Sequence, residues 1–229
     1  MNSLNQHSTE LLKAIASTDL LKVKELIRQG VDVNRVDMAN DAFTPLMLAI
    51  DMNFTDIVEL LINAGADLYE STYVEDSPLG LAVTKGNLEI VKLLLQAGAN
   101  PNFGGLEPTI VIAIDYQYLD IVKTLINWNA DVNIRTVSGT TALMIAAATG
   151  NMRIVELLLE EGANSDAMDD NLSIALDKAA YFGHQDIFDY LMLLTSTSVL
   201  EGREYLQKEL AIGILRKERK AQKEKKQTN

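Results

Sequence analysis

One stretch of sequence recurs along the chain at an almost constant spacing. In each copy a run of apolar residues ends at a glycine or an asparagine, and these stops follow one another at steps of 35, 33, 31 and 33 residues. A period of about 33 residues is typical of a repeat array, in which each unit packs on its neighbours. The sequence therefore predicts a stack of similar units with an extended surface. The stops are Gly30, Gly65, Gly98, Asn129 and Gly162.

Sequence signals for a first short helix precede the stops. Thr44-Pro45 and Ser77-Pro78 place a hydroxyl side chain immediately before a proline. The hydroxyl can cap the helix, and proline suits the first helical position because its missing N–H is not needed there. Both pairs therefore predict helix starts.

A second helix follows in each copy and ends at the stop. In the third copy Ile90, Val91, Leu94 and Leu95 recur at helical spacing, so they form one apolar face toward a neighbouring unit. Gly98 then ends the helix, because glycine adopts the left-handed conformation that closes the last turn at little steric cost. Asparagine, which tolerates the same conformation, takes this place at position 129.

These features together resemble the ankyrin repeat, with its Thr-Pro-Leu helix start, second helix after Gly-Asn and glycine stop. Residues 8–195 contain six such units, of which the first and last are degenerate. The resemblance implies an all-α fold, an ankyrin-repeat solenoid of helix-turn-helix units, over residues 1–195. The phrases that carry it begin at Thr44, Ser77 and Thr141, with a weaker one at Pro108.

Two departures from the family pattern affect the turns. The family's histidine after Thr-Pro-Leu is absent, so the resemblance implies that its bracing of the turn is missing and that the units are less rigid. The step of 31 residues also compresses the turn at Phe103-Gly104-Gly105, where the glycines serve geometry. The residues at the histidine position are Met47, Gly80, Val111, Met144 and Asp177.

The C-terminal segment is predicted to close the stack. Leu206, Leu210 and Ile214 recur every four residues, which predicts an amphipathic capping helix over residues 196–221 that begins near Thr197 or Ser198 and covers the sixth unit. Residues 222–229 are predicted to be a basic flexible tail.

Sequence motifs for catalysis are missing. The chain has no cysteine and only two histidines, and it lacks phosphate-loop, dinucleotide, zinc-protease and serine-hydrolase patterns. The acidic group at Asp166, Asp169 and Asp170 lacks the ligand spacing of a calcium loop, so these are predicted to be turn residues. We therefore expect no catalytic residue, cofactor, metal or small-molecule substrate, and no enzymatic activity.

The charge is distributed unevenly. Residues 1–200 contain 11 Lys or Arg against 27 Asp or Glu, whereas residues 201–229 contain 9 against 5. An acidic array attracts basic protein surfaces and repels nucleic acid, although solubility alone also explains the charge. The N-terminus lacks the basic start and apolar core of a secretory signal, so we expect a cytoplasmic protein.

The resemblance also implies where a partner would bind. In the family, the turn tips and the ends of the first helices line a concave face, and here these positions carry acidic, aromatic and methionine side chains suited to an interface. The alternative is that the aromatic residues only pack between neighbouring turns. The predicted partner-binding residues are Asp51, Met52, Tyr73, Asp76, Phe103, Asp115, Tyr116, Tyr181 and Phe182.

The sequence thus favours a non-enzymatic binder, a monomer before binding, that holds or inhibits a protein with a basic patch. The alternative is a targeting adaptor, whose basic tail contacts nucleic acid or an anionic membrane while the array binds a protein.

Overall fold

The structure of the protein, a computed structural model, describes residues 2–36, 43–69 and 77–227. This part of the chain contains fourteen helices and no strand, apart from an isolated bridge between Arg135 and Thr141. The helices are α1 (Asn2–Ala16), α2 (Leu20–Arg28), α3 (Pro45–Asp51), α4 (Thr55–Asn63), α5 (Pro78–Thr84), α6 (Leu88–Gln96), α7 (Thr109–Asp115), α8 (Leu119–Asn127), α9 (Ala142–Thr149), α10 (Met152–Glu160), α11 (Ala175–Phe182), α12 (Gln185–Leu194), α13 (Thr197–Leu200) and α14 (Leu206–Gln227).

The chain forms two compact units. The first unit comprises residues 1–113 and 123–130, and the second comprises residues 114–122 and 131–229. In the first unit α1 packs on α2, α3 on α4 and α5 on α6. In the second unit α9 packs on α10 and α11 on α12, while α9 and α11 also contact each other.

The first helices begin where the hydroxyl–proline pairs predict. Thr44 Oγ1 accepts a hydrogen bond from the backbone N–H of Met47 at 3.1 Å, and Ser77 Oγ accepts one from Gly80 at 3.0 Å. Pro45 and Pro78 are the first helical residues. The predicted caps are confirmed.

The second helices also have the predicted face and stop. Ile90, Val91, Leu94 and Leu95 are all buried. Gly98 follows with φ at +100°, and Asn129 takes the same left-handed region at +62°. Glycine and asparagine are favoured here because most other side chains are strained at positive φ.

The compressed turn lies directly on the start of α5. Ser77 donates through its backbone N–H to Gly104 O at 3.1 Å and through its hydroxyl to Phe103 O at 2.9 Å. A Cβ atom on Gly80 would lie 1.9 Å from Gly104 O. The glycine at the family's histidine position is therefore needed for close contact between the turn and the helix.

Successive repeats of the first unit are joined by side chains four residues after a stop. Asn34 Nδ2 donates to Gly65 O at 3.2 Å, and its Oδ1 accepts from the backbone N–H of Asp67 at 2.8 Å. One repeat later, Tyr69 Oη donates to Gly98 O at 2.7 Å. Each side chain therefore satisfies a carbonyl at the next helix stop.

The second unit repeats this contact. Asn133, four residues after the stop at position 129, donates through Nδ2 to Gly162 O at 3.0 Å. Its Oδ1 accepts from the backbone N–H of Asn164 at 2.8 Å. The geometry matches that of Asn34, so the same residue type joins repeats in both units.

The C-terminal segment contains two helices instead of the single predicted one. The short α13 ends at Leu200, and α14 begins at Leu206. Gly202 lies between them with φ at +78°, outside the conformation of a helix. The longer helix packs on α11, the first helix of the sixth repeat, and continues to Gln227. The exact domain boundaries of the sequence analysis stay a prediction.

A glycine brings the backbone of α14 against the end of α11. A Cβ atom on Gly213 would lie 2.3 Å from Ala180 O and 2.6 Å from the backbone nitrogen of Gly183. A larger residue at position 213 would therefore push the two helices apart. Within the described ranges, no helix has the length and apolar composition needed to cross a membrane.

We predict that Asn133→Ala lowers the free energy of unfolding by about 1 kcal/mol, because it removes two hydrogen bonds that join neighbouring repeats. Urea unfolding followed by circular dichroism measures the change. Asn63→Ala, at the exposed end of α4, is the control and should change stability less. Equal losses in the two variants would show that the contact contributes nothing specific.

Candidate protein-binding surface

Most of the predicted partner-binding residues share one place in the repeat. Asp51 and Asp115 are the last residues of α3 and α7, and Tyr181 and Phe182 end α11. Met52 and Tyr116 each follow directly after their helix. We call these positions the first-helix ends. Tyr73 and Asp76, in the predicted turn before α5, lie outside the described residues.

In the first unit the acidic helix end is paired. Asp51 Oδ1 forms a salt bridge with Lys85 Nζ at 2.7 Å, and both side chains are slightly more than one third exposed. Lys85 follows directly after α5, at the position that Met52 holds after α3, so charges at neighbouring first-helix ends neutralise each other. Met52 beside them is half-buried. The Asp51 carboxylate therefore already has a cationic partner within the first unit.

Phe103 lies in the compressed turn of the first unit. Its carbonyl accepts the hydroxyl proton of Ser77, and its backbone N–H donates to Asn100 O at 3.1 Å. The ring itself is 38% exposed. The backbone contacts hold the turn in place, and the ring stays accessible to a partner.

The second unit presents an acidic and aromatic helix end. Tyr116 is 49% exposed and stacks on Tyr118, with ring centroids 5.6 Å apart and planes 9° from parallel. Asp115 beside them is exposed. Stacked, partly exposed rings present apolar area in a fixed position, which suits an interface anchor.

At the sixth repeat the aromatic helix end is covered in part by α14. The rings of Tyr181 and Phe182 meet edge to face with centroids 5.0 Å apart, and both remain nearly half exposed. The guanidinium carbon of Arg216 lies 4.5 Å from the centroid of the Tyr181 ring. Its Nη1 donates to Glu209 Oε1 at 2.8 Å, which fixes the cation over the ring.

His184 connects the sixth repeat to its neighbour and to α14. Its Nε2 lies 3.1 Å from Ala148 O, and its Nδ1 lies 3.3 Å from Lys217 Nζ. Because an ammonium group can only donate, Nδ1 accepts and Nε2–H donates, which is the neutral form of the ring. Burial and the Lys217 charge lower the pKa of His184, in agreement with this form.

Together these groups line an open pocket of about 450 Å³ at the end of α11. The repeat register predicts the aromatic residues but not the cations, because the cations come from α14 and reach the site only when that helix docks. Gly213, in the middle of an otherwise regular helix, is the sequence signal for that close approach. The lining includes Tyr181, Phe182, His184, Arg216, Lys217 and Lys220.

The acidic turn residues of the second unit serve the fold. Asp169 is buried and accepts from Lys178 Nζ at 2.8 Å and from the backbone N–H groups of Asn171 and Ser173. Burial tends to raise the pKa of Asp169, but these hydrogen bonds outweigh it and lower the pKa. Asp166 accepts from the backbone of Ser196 at 2.9 Å.

Asp177, at the family's histidine position, has taken over the bracing of the last repeat. Its carboxylate accepts from the backbone N–H of Ile174 and from Tyr205 Oη, both at 2.8 Å, and pairs with Arg203. Burial and the hydrogen bond to Asp177 raise the pKa of Tyr205. The segment that leads into α14 is therefore tied to the start of α11.

Known proteins that match this chain share the repeat. The sequence profile of ankyrin repeats (three copies) matches residues 11–104, 70–136 and 110–199. An ankyrin repeat protein of fowlpox virus is 38% identical over 145 residues, which are 60% of this chain and 42% of that protein. A potassium channel of Arabidopsis thaliana is 36% identical over 174 residues, 76% of this chain and 20% of the channel. The chain thus spans less than half the length of these relatives.

Solved structures agree on the fold. The crystal structure of EF0377, an ankyrin repeat protein, has a TM-score of 0.75 and 30% identity, and the match covers 82% of this chain and 98% of that one. The ankyrin repeat domain of Bcl-3, at 24% identity, has a TM-score of 0.73 over 82% of this chain and 87% of that one, a likeness of fold alone. The predicted all-α ankyrin-repeat fold class is confirmed.

We predict that Asp169→Asn lowers the free energy of unfolding at pH 7 by about 1–3 kcal/mol, because a buried charged hydrogen bond is lost. The folded-state pKa of Asp169 lies below its unfolded value. Its contribution is therefore complete above the unfolded pKa of about 4 and is lost as the pH falls through the folded pKa.

Denaturant unfolding of both proteins at a series of pH values from 7 downward measures this effect, and the two curves should converge in acid. The control is Asp170→Asn, the same change at the exposed neighbouring residue. A constant difference at all pH values would contradict the assignment.

Proposed function

Because the chain belongs to the ankyrin repeat family, whose members generally act as protein-interaction modules, we propose that it is a non-enzymatic binder of another protein. The partner carries a basic patch, and binding holds or inhibits it. We further propose that the protein acts in the cytoplasm and is a monomer before it binds.

The observation that carries this proposal is the first-helix end of the second unit. There the exposed Asp115 stands beside the stacked rings of Tyr116 and Tyr118. Aromatic anchors supply much of the binding free energy of an interface, and a neighbouring charge sets specificity and association rate. This arrangement suits a basic or cationic side chain that lies over an aromatic ring.

Preorganisation supports the same function. The helix before this end is held by its buried residues Ala113 and Ile114, and the two tyrosine rings are stacked on each other. A rigid surface loses little conformational entropy on docking, so more of the contact energy appears as affinity. The net negative charge of residues 1–200 would speed the approach of a basic partner, most strongly at low salt.

The family resemblance does not identify the partner. This chain matches a segment of a Candida albicans protein named as a glycerophosphocholine phosphodiesterase, and the match covers 8% of that protein. It also matches a segment of the Arabidopsis channel. The repeat therefore accompanies unrelated activities, and no catalytic role passes from these proteins to this chain. Within the described ranges, no three or more His, Asp or Glu side chains are grouped to hold a metal ion.

A second candidate is the targeting adaptor, in which the basic C-terminus contacts nucleic acid or an anionic membrane. The exposed basic residues Arg219, Lys220 and Lys223 along α14 favour it. Against it, Arg216 and Lys217 lie on the sixth repeat instead of extending away from it.

We predict that the double variant Asp115→Lys/Tyr116→Ala loses capture of a basic protein by about tenfold or more, because it removes both the charge and the anchor. A quantitative pull-down from the native cell's lysate, at low and moderate salt, measures the loss. The amount of captured protein should also decrease as the salt concentration rises.

The chain offers a matched control for this test. Asp189→Lys/Tyr190→Ala makes the identical two changes on α12, a second helix, and should capture the partner as the unmodified protein does. If both double variants lose it equally, the first-helix end is not the binding site.

A truncation separates the two candidate functions. Removal of residues 221–229 leaves the pocket residues Arg216, Lys217 and Lys220 in place, so we predict that protein capture and thermal stability are unchanged. Binding to duplex DNA or to phosphatidylserine vesicles, measured by mobility shift and co-sedimentation, would disappear if the tail mediates it. DNA or vesicle binding that the truncation abolishes would favour the adaptor, whereas loss of protein capture would contradict the assignment of protein binding to the array.

A further inference from the structure

The pocket at the end of α11 differs in charge from the rest of the repeats. The array is strongly acidic, yet Arg216, Lys217 and Lys220 bring three cations to one place beside two half-exposed rings. We propose that this pocket binds an acidic segment of a partner protein. Carboxylate side chains of the segment pair with Lys217 and Lys220, and its apolar carbons cover Tyr181 and Phe182.

The geometry of the pocket is fixed before any ligand binds. Gly213 holds the backbone of α14 against the end of α11, so the cations that follow it have a defined position. Arg216 is held by the Tyr181 ring at 4.5 Å and by Glu209 at 2.8 Å. The pocket therefore loses little freedom when it is occupied.

The charge of the pocket is positive at neutral pH. His184 is neutral, since one ring nitrogen accepts from Lys217 and the other donates to Ala148. The Glu209 carboxylate neutralises the positive charge of Arg216 in a salt bridge. The charges of Lys217 and Lys220 therefore remain to attract an anion. Asp186, which acts electrostatically on His184, is exposed and lies two residues after it, in the first turn of α12.

Size and surroundings favour a peptide over a larger polyanion. A volume of about 450 Å³ is in the range of pockets that take a few side chains or a small ligand. A nucleic acid or membrane extending beyond the pocket would meet the acidic repeats, including Asp186 and Asp189 on α12, and would be repelled. A short acidic segment places its charge only where the cations are.

This inference rests on the proposed function only in assigning the pocket to protein recognition. It uses residues of α11 and α14, whereas the proposed function is tested at Asp115 and Tyr116. Failure of one test therefore leaves the other standing.

The test is a fluorescence anisotropy titration of the full chain with a labelled Glu-rich peptide that has one central Leu. The unmodified protein should bind it, and Lys220→Glu should weaken binding by about tenfold or more, because an attractive contact becomes a repulsive one. Arg219→Glu makes the same charge change one residue away, at a position that does not line the pocket, and should bind within about threefold of the unmodified protein.

Further measurements distinguish specific binding in the pocket from misfolding of a variant and from general charge attraction. Thermal melts should show that both variants are folded, and amide chemical shifts of residues 181–184 should move on titration. Equal weakening by the two variants would overturn the proposal, since it would indicate general charge attraction. So would an absence of peptide binding, or a preference for duplex DNA or phosphatidylserine vesicles over the peptide.

Discussion

The hydrogen bond from one repeat to the helix stop of the next is the polar contact that recurs between neighbouring repeats in both units. A left-handed stop closes the last turn of its helix, but the carbonyl groups of the stop residues themselves lie outside the helices and need other partners. Asn34 and Asn133 satisfy one of them in the next repeat and accept a backbone N–H in return. Tyr69 donates its hydroxyl proton to the equivalent carbonyl of another stop, that of Gly98. The spacing of about 33 residues is therefore kept by a polar contact as well as by apolar packing.

Local features of the fold were predictable because they depend on neighbours in sequence. The caps at Thr44 and Ser77 and the left-handed stop at Asn129 follow from conformational preferences of single residues. Contacts between repeats were harder to predict from the sequence. Asp51, a predicted partner-binding residue, pairs with Lys85 one repeat away, and Tyr69 donates to the stop of the next repeat. Those pairings depend on the stacking of units, which residue spacing alone does not specify.

The candidate site was predictable only in part for the same reason. The helix-end aromatics follow from the repeat register, whereas the cations beside Tyr181 come from a helix more than thirty residues later. The long helix predicted from position 196 is interrupted at Gly202, and Arg203 and Tyr205 instead tie the connection to Asp177. Asp177, at the family's histidine position, therefore holds the C-terminal segment on the sixth repeat, a contact visible only in three dimensions.

Docking of α14 also changes what the charge distribution means. In sequence, the acidic array and the basic tail are separate regions, and each suggests its own partner. In the second unit, Lys217 contacts His184 of the sixth repeat, while Asp115 lies exposed at the end of α7. On the proposed function, a partner that engages both places must offer a basic group to one and an acidic group to the other. Such a charge pattern allows the partner to bind in one orientation and opposes binding in the reversed orientation, which would bring like charges together.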